Sequence, residues 1–379
     1  MELPVVFDIQ TCKNGKSIGI ATLNRPKSLN ALDLEMVNLL LLQLQSWQHN
    51  NDIAIVVLDS RGDSTFCAGG DVVSMYNAMK DSKTEQNNPA MVPELLETFF
   101  SQEYRLDYLI HTYPKPILAW GNGIIMGGGL GLLAGASHRV VTEDALIAMP
   151  EAAIGLYPDV GGSWFLNKMP KGVGQFLGVT GAKINCHDAK FANLADFVIQ
   201  HQNKLQVLRQ IKTTDWTENF AQNGQLLTAL CAEFAQTSGV CNLHKHADLL
   251  AGLADTTTLQ DYIDALTAVS ISDDKWFKKA QDAIAYNSPI SMHLVFQQLH
   301  RGVDLSLAEC FQMELIMSCR CGTYGEFQEG VRALLIDKDR KPKWAFANIA
   351  EVDEKTLNQF FTSMWPNNGN PLNDLQLAS

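Results

Sequence analysis

Two acidic residues, Glu151 and Asp159, lie in one apolar, glycine-rich stretch over residues 149–162. Burying a carboxyl group among apolar side chains removes its hydration and raises its pKa toward the range useful for a general acid, a general base or a nucleophile. Glu151 follows the apolar segment 145–149 and is predicted to lie at a strand end, where open α/β sheets usually bind ligands. For Asp159 a second interpretation stays open, because Asp is also a favourable N-cap for a helix over 160–169.

Two glycine-rich turns share one arrangement, in which an apolar strand is followed by glycines and then by a helical pattern. The first turn, residues 66–71, follows a strand predicted over 53–58, and the second, residues 126–129, follows one over 116–120. Glycine lets a ligand approach the backbone closely, and unpaired amides at a helix N-terminus favour negative charge. One amide from each turn would form an oxyanion hole, whereas tight helix packing is the other explanation for these glycines. Neither turn matches a phosphate loop or a dinucleotide fingerprint.

The order of these motifs resembles the crotonase, or enoyl-CoA hydratase/isomerase, superfamily. The segments that carry the resemblance are Phe66-Cys67-Ala68-Gly69-Gly70-Asp71, Met126-Gly127-Gly128-Gly129 and Met149-Pro150-Glu151. Residues 23–32 are similar to the superfamily's first CoA-binding segment. Residues 99–104, 158–162 and 329–339 are most similar to the branch that hydrolyses 3-hydroxyisobutyryl-CoA. The resemblance covers nearly the whole chain and implies an α/β fold, a crotonase-like spiral of ββα repeats with a helical C-terminal region.

One departure from the hydratase pattern bears on the reaction. Hydratases of the superfamily use two glutamates; the first corresponds to Gly131 of this chain and the second to Glu151. A chain that keeps only Glu151 and adds Asp159 lacks the pair that adds water across a double bond. We therefore expect hydrolysis of a short 3-hydroxyacyl-CoA thioester, with 3-hydroxyisobutyryl-CoA of valine catabolism as the leading substrate. An enoyl-CoA hydratase or isomerase and a noncatalytic binding protein of the same fold are the alternatives.

The resemblance also implies a role for each residue of the site. The thioester carbonyl oxygen is expected between the backbone N–H groups of Ala68 and Gly128, where fixed amide dipoles stabilise the oxyanion. Glu151 is expected either to attack the carbonyl carbon or to activate water for the attack. Glu103 and Asp159 are expected to contact the acyl group, where they would hold its 3-hydroxyl and orient Glu151. For Glu103, a solvated helix face is the other interpretation.

The CoA moiety needs a basic edge for its phosphates and an apolar slot for its adenine. The predicted CoA-binding residues are Lys27, Leu29, Ala68 and Gly70. CoA is part of the substrate, so no separate cofactor is expected. Cys241, His244 and His246 resemble metal ligands, but no fourth ligand has suitable spacing, and no metal site is predicted.

Composition is typical of a globular enzyme. A chain of 379 residues with 46% hydrophobic content can bury a substantial core. The net charge of −12, from 29 basic and 41 acidic residues, argues against nonspecific nucleic-acid binding. Residues 117–137 carry no charge and are long enough to suggest a membrane span, but strands and glycine turns explain them better. The eight cysteines are scattered without a Cys-x-x-Cys motif, as expected for reduced thiols.

The chain is predicted to have two regions without a sharp boundary between them. Residues 1–190 alternate strands and helices and would form the crotonase-like core with the CoA and catalytic sites. Residues 191–379 are mainly helical by apolar spacing, with helices predicted over 205–236 and 306–318 among others. The first residues carry no signal or transit pattern, so a cytoplasmic location is expected. The expected partner is a small acyl-CoA substrate, with neither nucleic acid nor a membrane, and the resemblance adds a possible homo-oligomer.

Overall fold

The computed structural model describes residues 3–85, 92–236, 238–270 and 273–375. The described residues form two compact units, each assembled from segments that are distant in sequence. The first unit draws on Met1–Gly70, Arg105–Ile147 and Ile184–Cys241, and the second on Asp71–Tyr104, Ala148–Lys183 and Asn242–Ser379. The division of the chain near residue 190 into a catalytic core and a helical region stays a prediction.

Strands and helices alternate along the first half of the chain. The strands are β1 (Val5–Thr11), β2 (Ser17–Leu23), β3 (Ile53–Ser60), β4 (Thr65–Cys67), β5 (Ile117–Gly121), β6 (Ile124–Met126), β7 (His138–Val141), β8 (Leu146–Ala148) and β9 (Phe197–Val198). The helices are α1 (Leu34–His49), α2 (Val72–Glu85), α3 (Glu94–His111), α4 (Gly128–Ala134), α5 (Gly162–Phe165), α6 (Val173–Thr180), α7 (Cys186–Phe191), α8 (Lys204–Thr213), α9 (Phe220–Phe234), α10 (Asn242–Lys245), α11 (Ala247–Leu253), α12 (Leu259–Ala268), α13 (Lys275–Ile284), α14 (Pro289–Gly302), α15 (Leu307–Tyr324), α16 (Glu326–Val331) and α17 (Glu354–Phe360).

The strands form two sheets that the chain visits in turn. One sheet has the order β1-β2-β3-β5-β7-β9, and the other has the order β4-β6-β8. In the larger sheet β1 is antiparallel to β2, and the remaining pairings are parallel. From β3 onward each repeat places one strand in each sheet and then a helix, as in β3-β4-α2 and β5-β6-α4. The predicted α/β class with ββα repeats and a helical C-terminal region is confirmed.

The core of the first unit lies around β3, whose residues are buried along its whole length. A parallel strand in the middle of a sheet must be covered on both faces, which explains the apolar sequence of its residues 53–58. Ile55 and Val57 pack in one cluster with Trp120 of β5 and with Val207 and Leu227, which lie on α8 and α9. The helices that follow β9 therefore complete the core of this unit.

Capping side chains set the start of two helices. Asp33 caps α1, and its side chain accepts a hydrogen bond from the Met36 N–H. The single helix predicted over 205–236 is wrong, because residues 214–219 separate α8 from α9. Asn219 caps the second helix by accepting from the Gln222 N–H. The Thr, Asp and Asn side chains of this break compete for backbone hydrogen bonds and so favour turns and caps over a helix interior.

The uncharged segment 117–137 folds as β5, β6 and α4 with their connecting turns, followed by the start of the loop before β7. Throughout the described ranges, no helix combines the length and the apolar character that crossing a membrane requires.

Gly129 lies where α4 contacts the first glycine turn, and a Cβ there would come within 2.3 Å of the Cys67 carbonyl oxygen. We predict that Gly129→Ala lowers the free energy of unfolding by about 1–3 kcal/mol, because two backbones must move apart. Denaturant titration measures the difference. The control is Gly252→Ala on α11, since a Cβ there meets nothing within 4 Å and Ala is the better helix former. An equal loss in both variants would contradict the steric explanation.

Candidate active site

In the first unit, backbone hydrogen bonds join the first glycine turn to the segment before α1. The Ala68 N–H donates to the Leu29 carbonyl at 3.1 Å, and the Leu32 N–H donates to the Gly69 carbonyl at 2.8 Å. Two predicted CoA-binding residues, Leu29 and Ala68, are thus adjacent. Lys27 precedes them in a short exposed 3-10 segment. These contacts bring together the residues predicted for CoA binding, while that role itself stays a prediction.

The segment before α1 is held in shape by the buried Asn30. Its side-chain amide donates to the carbonyls of Arg61 and Thr65, each at 3.0 Å. Leu29 and Asn30 both have left-handed backbone angles, with φ of 52° and 51°. Side-chain amide bonds of this kind offset the cost of two consecutive unfavourable residues. Leu29 itself is 45% exposed.

The bond to Leu29 occupies the Ala68 N–H, which was predicted as the first donor of the oxyanion hole. That amide is not free in this structure. For the N–H groups of Gly70 and Gly128, by contrast, the described residues provide no acceptor. The backbone changes direction at Gly69, whose φ is 106°, and a Cβ on Gly69 would lie 3.7 Å from the Gly128 nitrogen. The two turns are therefore in contact, and the Gly70 and Gly128 N–H groups are among their amides that have no acceptor in the described residues.

The second turn gives Gly128 its unpaired amide. Gly127 has φ 51° and ψ −127°, and α4 begins directly after it at Gly128. Residues with a Cβ are strained at this conformation, which explains the glycine at position 127. The first N–H groups of a helix have no acceptor within the helix. Gly128 thus stays a predicted oxyanion donor.

In the second unit, three carboxyl groups are buried in one cluster. Glu103 on α3, Glu151 just after β8 and Asp159 before α5 are 2%, 6% and 4% exposed. Burial raises the pKa of each carboxyl group. The charge of Asp159 raises the pKa values of Glu103 and Glu151 further. Like charges that share a buried site cannot all ionise near neutral pH, so the cluster retains protons.

The other interpretations of these residues, a solvated helix face for Glu103 and a helix N-cap for Asp159, are both wrong. Glu103 does not lie on a solvated helix face, because its side chain is buried. Asp159 does not cap a helix over 160–169, because α5 begins at Gly162 and its cap, Gly161, makes no side-chain capping bond. Instead, Asp159 Oδ2 lies 2.7 Å from the Tyr104 hydroxyl oxygen, at hydrogen-bond distance. Burial and this bond set the environment of Asp159.

Two oxygens of the cluster stay unpaired. Glu103 Oε1 and Glu151 Oε2 are buried, and neither has a hydrogen-bond partner among the described residues. A buried polar atom without a partner costs about 1–3 kcal/mol, so native structures keep few of them. Unpaired atoms of this kind are typical of sites that receive a polar group of a ligand. The two oxygens can accept hydrogen bonds from a substrate hydroxyl or from an attacking water.

Three side chains without a predicted role connect Asp159 to α15. The Tyr104 hydroxyl lies 2.6 Å from Ser318 Oγ, and Ser318 Oγ lies 2.8 Å from the Tyr157 hydroxyl. The Tyr157 hydroxyl in turn donates to the Glu314 carbonyl at 2.6 Å. The sequence contains one signal for this contact: Glu314 and Ser318 are one turn apart on the same face of the helix predicted over 306–318. A lone acid on that apolar face indicates a buried polar contact.

The Glu314 carboxylate holds the backbone that follows Asp159. Its two oxygens accept from the N–H groups of Gly161 and Ser163, each at 2.8 Å. Val160 and Gly161 both have left-handed angles, with φ of 54° and 88°. Burial raises the pKa of Glu314 to about 8, and the two backbone bonds oppose that shift. Glu314 thereby fixes the conformation that places Asp159 beside Tyr104.

Comparison with known proteins identifies the family. Residues 18–361 match the enoyl-CoA hydratase/isomerase family, and the chain belongs to it. It is 35% identical to a mitochondrial 3-hydroxyisobutyryl-CoA hydrolase of Danio rerio over 93% of this chain and 88% of that protein. It is 34% identical to the mitochondrial 3-hydroxyisobutyryl-CoA hydrolase of Homo sapiens over 91% and 86% of the two chains.

Solved structures agree with this assignment. A carnitinyl-CoA dehydratase of Mycobacterium thermoresistibile superposes with a TM-score of 0.83 at 31% identity, covering 96% of this chain and 98% of that one. An enoyl-CoA hydratase of Rhodobacter sphaeroides superposes with a TM-score of 0.81 at 30% identity, covering 94% and 97%. The crotonase-like fold expected from the sequence is therefore confirmed.

We predict that Glu314→Gln lowers the free energy of unfolding by about 1–3 kcal/mol. A glutamine has one acceptor oxygen, so its NH₂ group would face one of the two backbone N–H donors. Denaturant unfolding measures the loss. Glu233→Gln, at an exposed position on α9, is the matched control and should change stability by less than about 0.5 kcal/mol. Equal stability of the two variants would show that the Glu314 carboxylate does not hold this loop.

Proposed function

We propose that the protein hydrolyses a short 3-hydroxyacyl-CoA thioester to the free acid and CoA, with 3-hydroxyisobutyryl-CoA as the leading substrate. The observation that carries the proposal is the buried cluster of Glu103, Glu151 and Asp159, in a chain that has glycine at position 131. The names of the relatives in Danio rerio and Homo sapiens support the same thioester and a role in valine catabolism. Hydration is the second candidate, because two similar structures carry dehydratase and hydratase names.

Stabilisation of the oxyanion is assigned to the N–H groups of Gly70 and Gly128. Attack on the thioester carbonyl builds negative charge on its oxygen, and preorganised amide dipoles lower the energy of that state. Gly70 replaces Ala68 in this role because the Ala68 N–H already donates to Leu29. Loss of one such donor costs about 100- to 1,000-fold in rate.

Glu151 is assigned as the carboxylate that starts the reaction. As a nucleophile it would form an anhydride with the acyl group and release CoA as a thiolate, which then takes up a proton; water would afterwards cleave the anhydride. As a general base it would instead remove a proton from an attacking water. Both routes need Glu151 ionised. Glu103 and Asp159 are assigned to bind the 3-hydroxyl of the acyl group and to orient Glu151.

The remaining assignments concern the CoA moiety and the setting of the enzyme. Lys27, Leu29 and the first glycine turn are assigned to CoA, which is the leaving group, and the reaction is proposed to need no separate cofactor or metal. A cytoplasmic location and assembly into a homo-oligomer also belong to the proposal. The relatives in Danio rerio and Homo sapiens are named as mitochondrial. Fractionation of the source cells and light scattering of the pure protein test these two points.

The decisive experiment compares two assays on the wild type and on Glu151→Gln. Thiol detection follows CoA release from 3-hydroxyisobutyryl-CoA, and loss of the conjugated absorbance follows hydration of crotonyl-CoA. We expect thiol release by the wild type, no hydration, and a loss of at least about 100-fold in Glu151→Gln. Glu233→Gln should keep full activity. Hydration without thiol release would overturn the proposal in favour of a hydratase.

A further inference from the structure

A chain of three hydroxyl groups runs from Asp159 to the backbone of α15. Along it lie four short contacts: Asp159 to Tyr104 at 2.7 Å, Tyr104 to Ser318 at 2.6 Å, Ser318 to Tyr157 at 2.8 Å, and Tyr157 to the Glu314 carbonyl at 2.6 Å. Each contact needs one proton between its two oxygens. A hydroxyl group supplies one proton, and a backbone carbonyl supplies none. The three hydroxyl groups alone are therefore one proton short.

The carbonyl at the far end sets the direction of the chain. Because the Glu314 carbonyl can only accept, the Tyr157 proton is committed to it. Ser318 must then donate to Tyr157, and Tyr104 must donate to Ser318. No hydroxyl proton is left for the contact with Asp159. If Asp159 is ionised and accepts a hydrogen bond from the Tyr104 hydroxyl, one of the other three contacts has no proton and loses its hydrogen bond.

We propose that Ser318 and Tyr157 are positioning residues that, acting through Tyr104, hold a proton on Asp159 and so leave the negative charge of the carboxyl cluster on Glu151. A proton on Asp159 Oδ2 completes all four hydrogen bonds at once. This inference rests on the proposed function, since it specifies which carboxyl group of that site carries the charge.

Because the chain of hydroxyl groups is buried, a contact that lacks its hydrogen bond is costly. Tyr104, Tyr157 and Ser318 are almost completely buried, and Asp159 is 4% exposed. In such surroundings an unmade hydrogen bond is penalised more than at the surface. The titratable groups that act on Asp159 or feel its charge are Glu103, Glu151, Tyr104, Tyr157, Glu314 and Cys321. Within the described part of the chain, none of the ion pairs includes Asp159.

The proton on Asp159 matters for the neighbouring Glu151. Burial raises the pKa of Glu151, and a negative Asp159 raises it further. A neutral Asp159 removes the second effect, so that Glu151 ionises at lower pH. Carboxyl groups that share a buried site divide their protons in this way, and the hydrogen bonds around each group decide which one stays neutral.

Two substitutions remove the shortage of protons. In Ser318→Ala the remaining contacts are Tyr104 with Asp159 and Tyr157 with the carbonyl, and each has its own proton. In Tyr157→Phe, Ser318 donates to Tyr104 and Tyr104 donates to Asp159. Ionised Asp159 then costs no hydrogen bond in either variant. We expect its titration midpoint to fall by about half a pH unit to one unit in both, the equivalent of one net hydrogen bond.

The midpoint is measured by infrared titration of the protonated carboxyl band, which is assigned to Asp159 by its loss in Asp159→Asn. In the same two variants the acid limb of thiol release should move to higher pH by a similar amount, because Glu151 stays protonated longer beside a negative Asp159. Tyr104→Phe should act in the opposite direction on the infrared midpoint and raise it, since the ionised Asp159 loses its donor.

The controls are Ser291→Ala and Tyr262→Phe. Both residues are buried in the second unit, and their hydroxyl groups have no partner among the described residues. Midpoints that fall in Ser318→Ala and Tyr157→Phe but not in these controls support the inference. Midpoints of Ser318→Ala and Tyr157→Phe that match the wild type, or that rise, overturn it. The infrared titration needs no substrate, so an inactive wild type would refute the proposed function and leave this result standing.

Discussion

The second unit depends on one constraint: it buries several carboxyl groups that have no basic partner among the described residues. Glu103, Glu151, Asp159 and Glu314 are each at most 6% exposed, and none of them takes part in an ion pair within the described residues. A buried charge without a counter-charge costs several kcal/mol unless hydrogen bonds or a proton offset it. The fold meets this cost with backbone amides and with hydroxyl groups rather than with arginine or lysine.

Glu314 and Asp159 illustrate two ways of meeting that cost. Glu314 receives two backbone N–H groups, which favour its charged form and hold the strained backbone at Val160 and Gly161. Asp159 instead contacts the first hydroxyl group of a hydrogen-bonded chain that is one proton short. That shortage favours a proton on the Asp159 carboxyl group. Glu314 therefore stabilises the loop that positions Asp159, an acidic residue of the candidate site. Strain of this kind persists only where surrounding contacts impose it.

Much of this arrangement can be predicted from the sequence, and the rest depends on contacts between distant segments. The motif order around Gly70, Gly128 and Glu151 indicates the fold and the main carboxylate, because each motif is local in sequence. Which amide of the first turn is free could not be predicted, since that depends on a bond from Ala68 to Leu29. The proton balance at Asp159 likewise involves hydroxyl groups on α3, on the loop before α5 and on α15. No spacing rule connects those three segments.

The distribution of protons offers a physical reason why one family fold can serve different reactions. Addition of water to a double bond requires one carboxyl group as base and a second as acid, so two groups must titrate separately. Hydrolysis of a thioester requires one ionised carboxylate and a stabilised oxyanion. With glycine at position 131, this chain has no glutamate on α4 to share the work of Glu151. If Asp159 keeps its proton, as inferred, Glu151 alone carries the negative charge. A single charged carboxylate favours attack on a carbonyl carbon over chemistry that needs a paired acid and base.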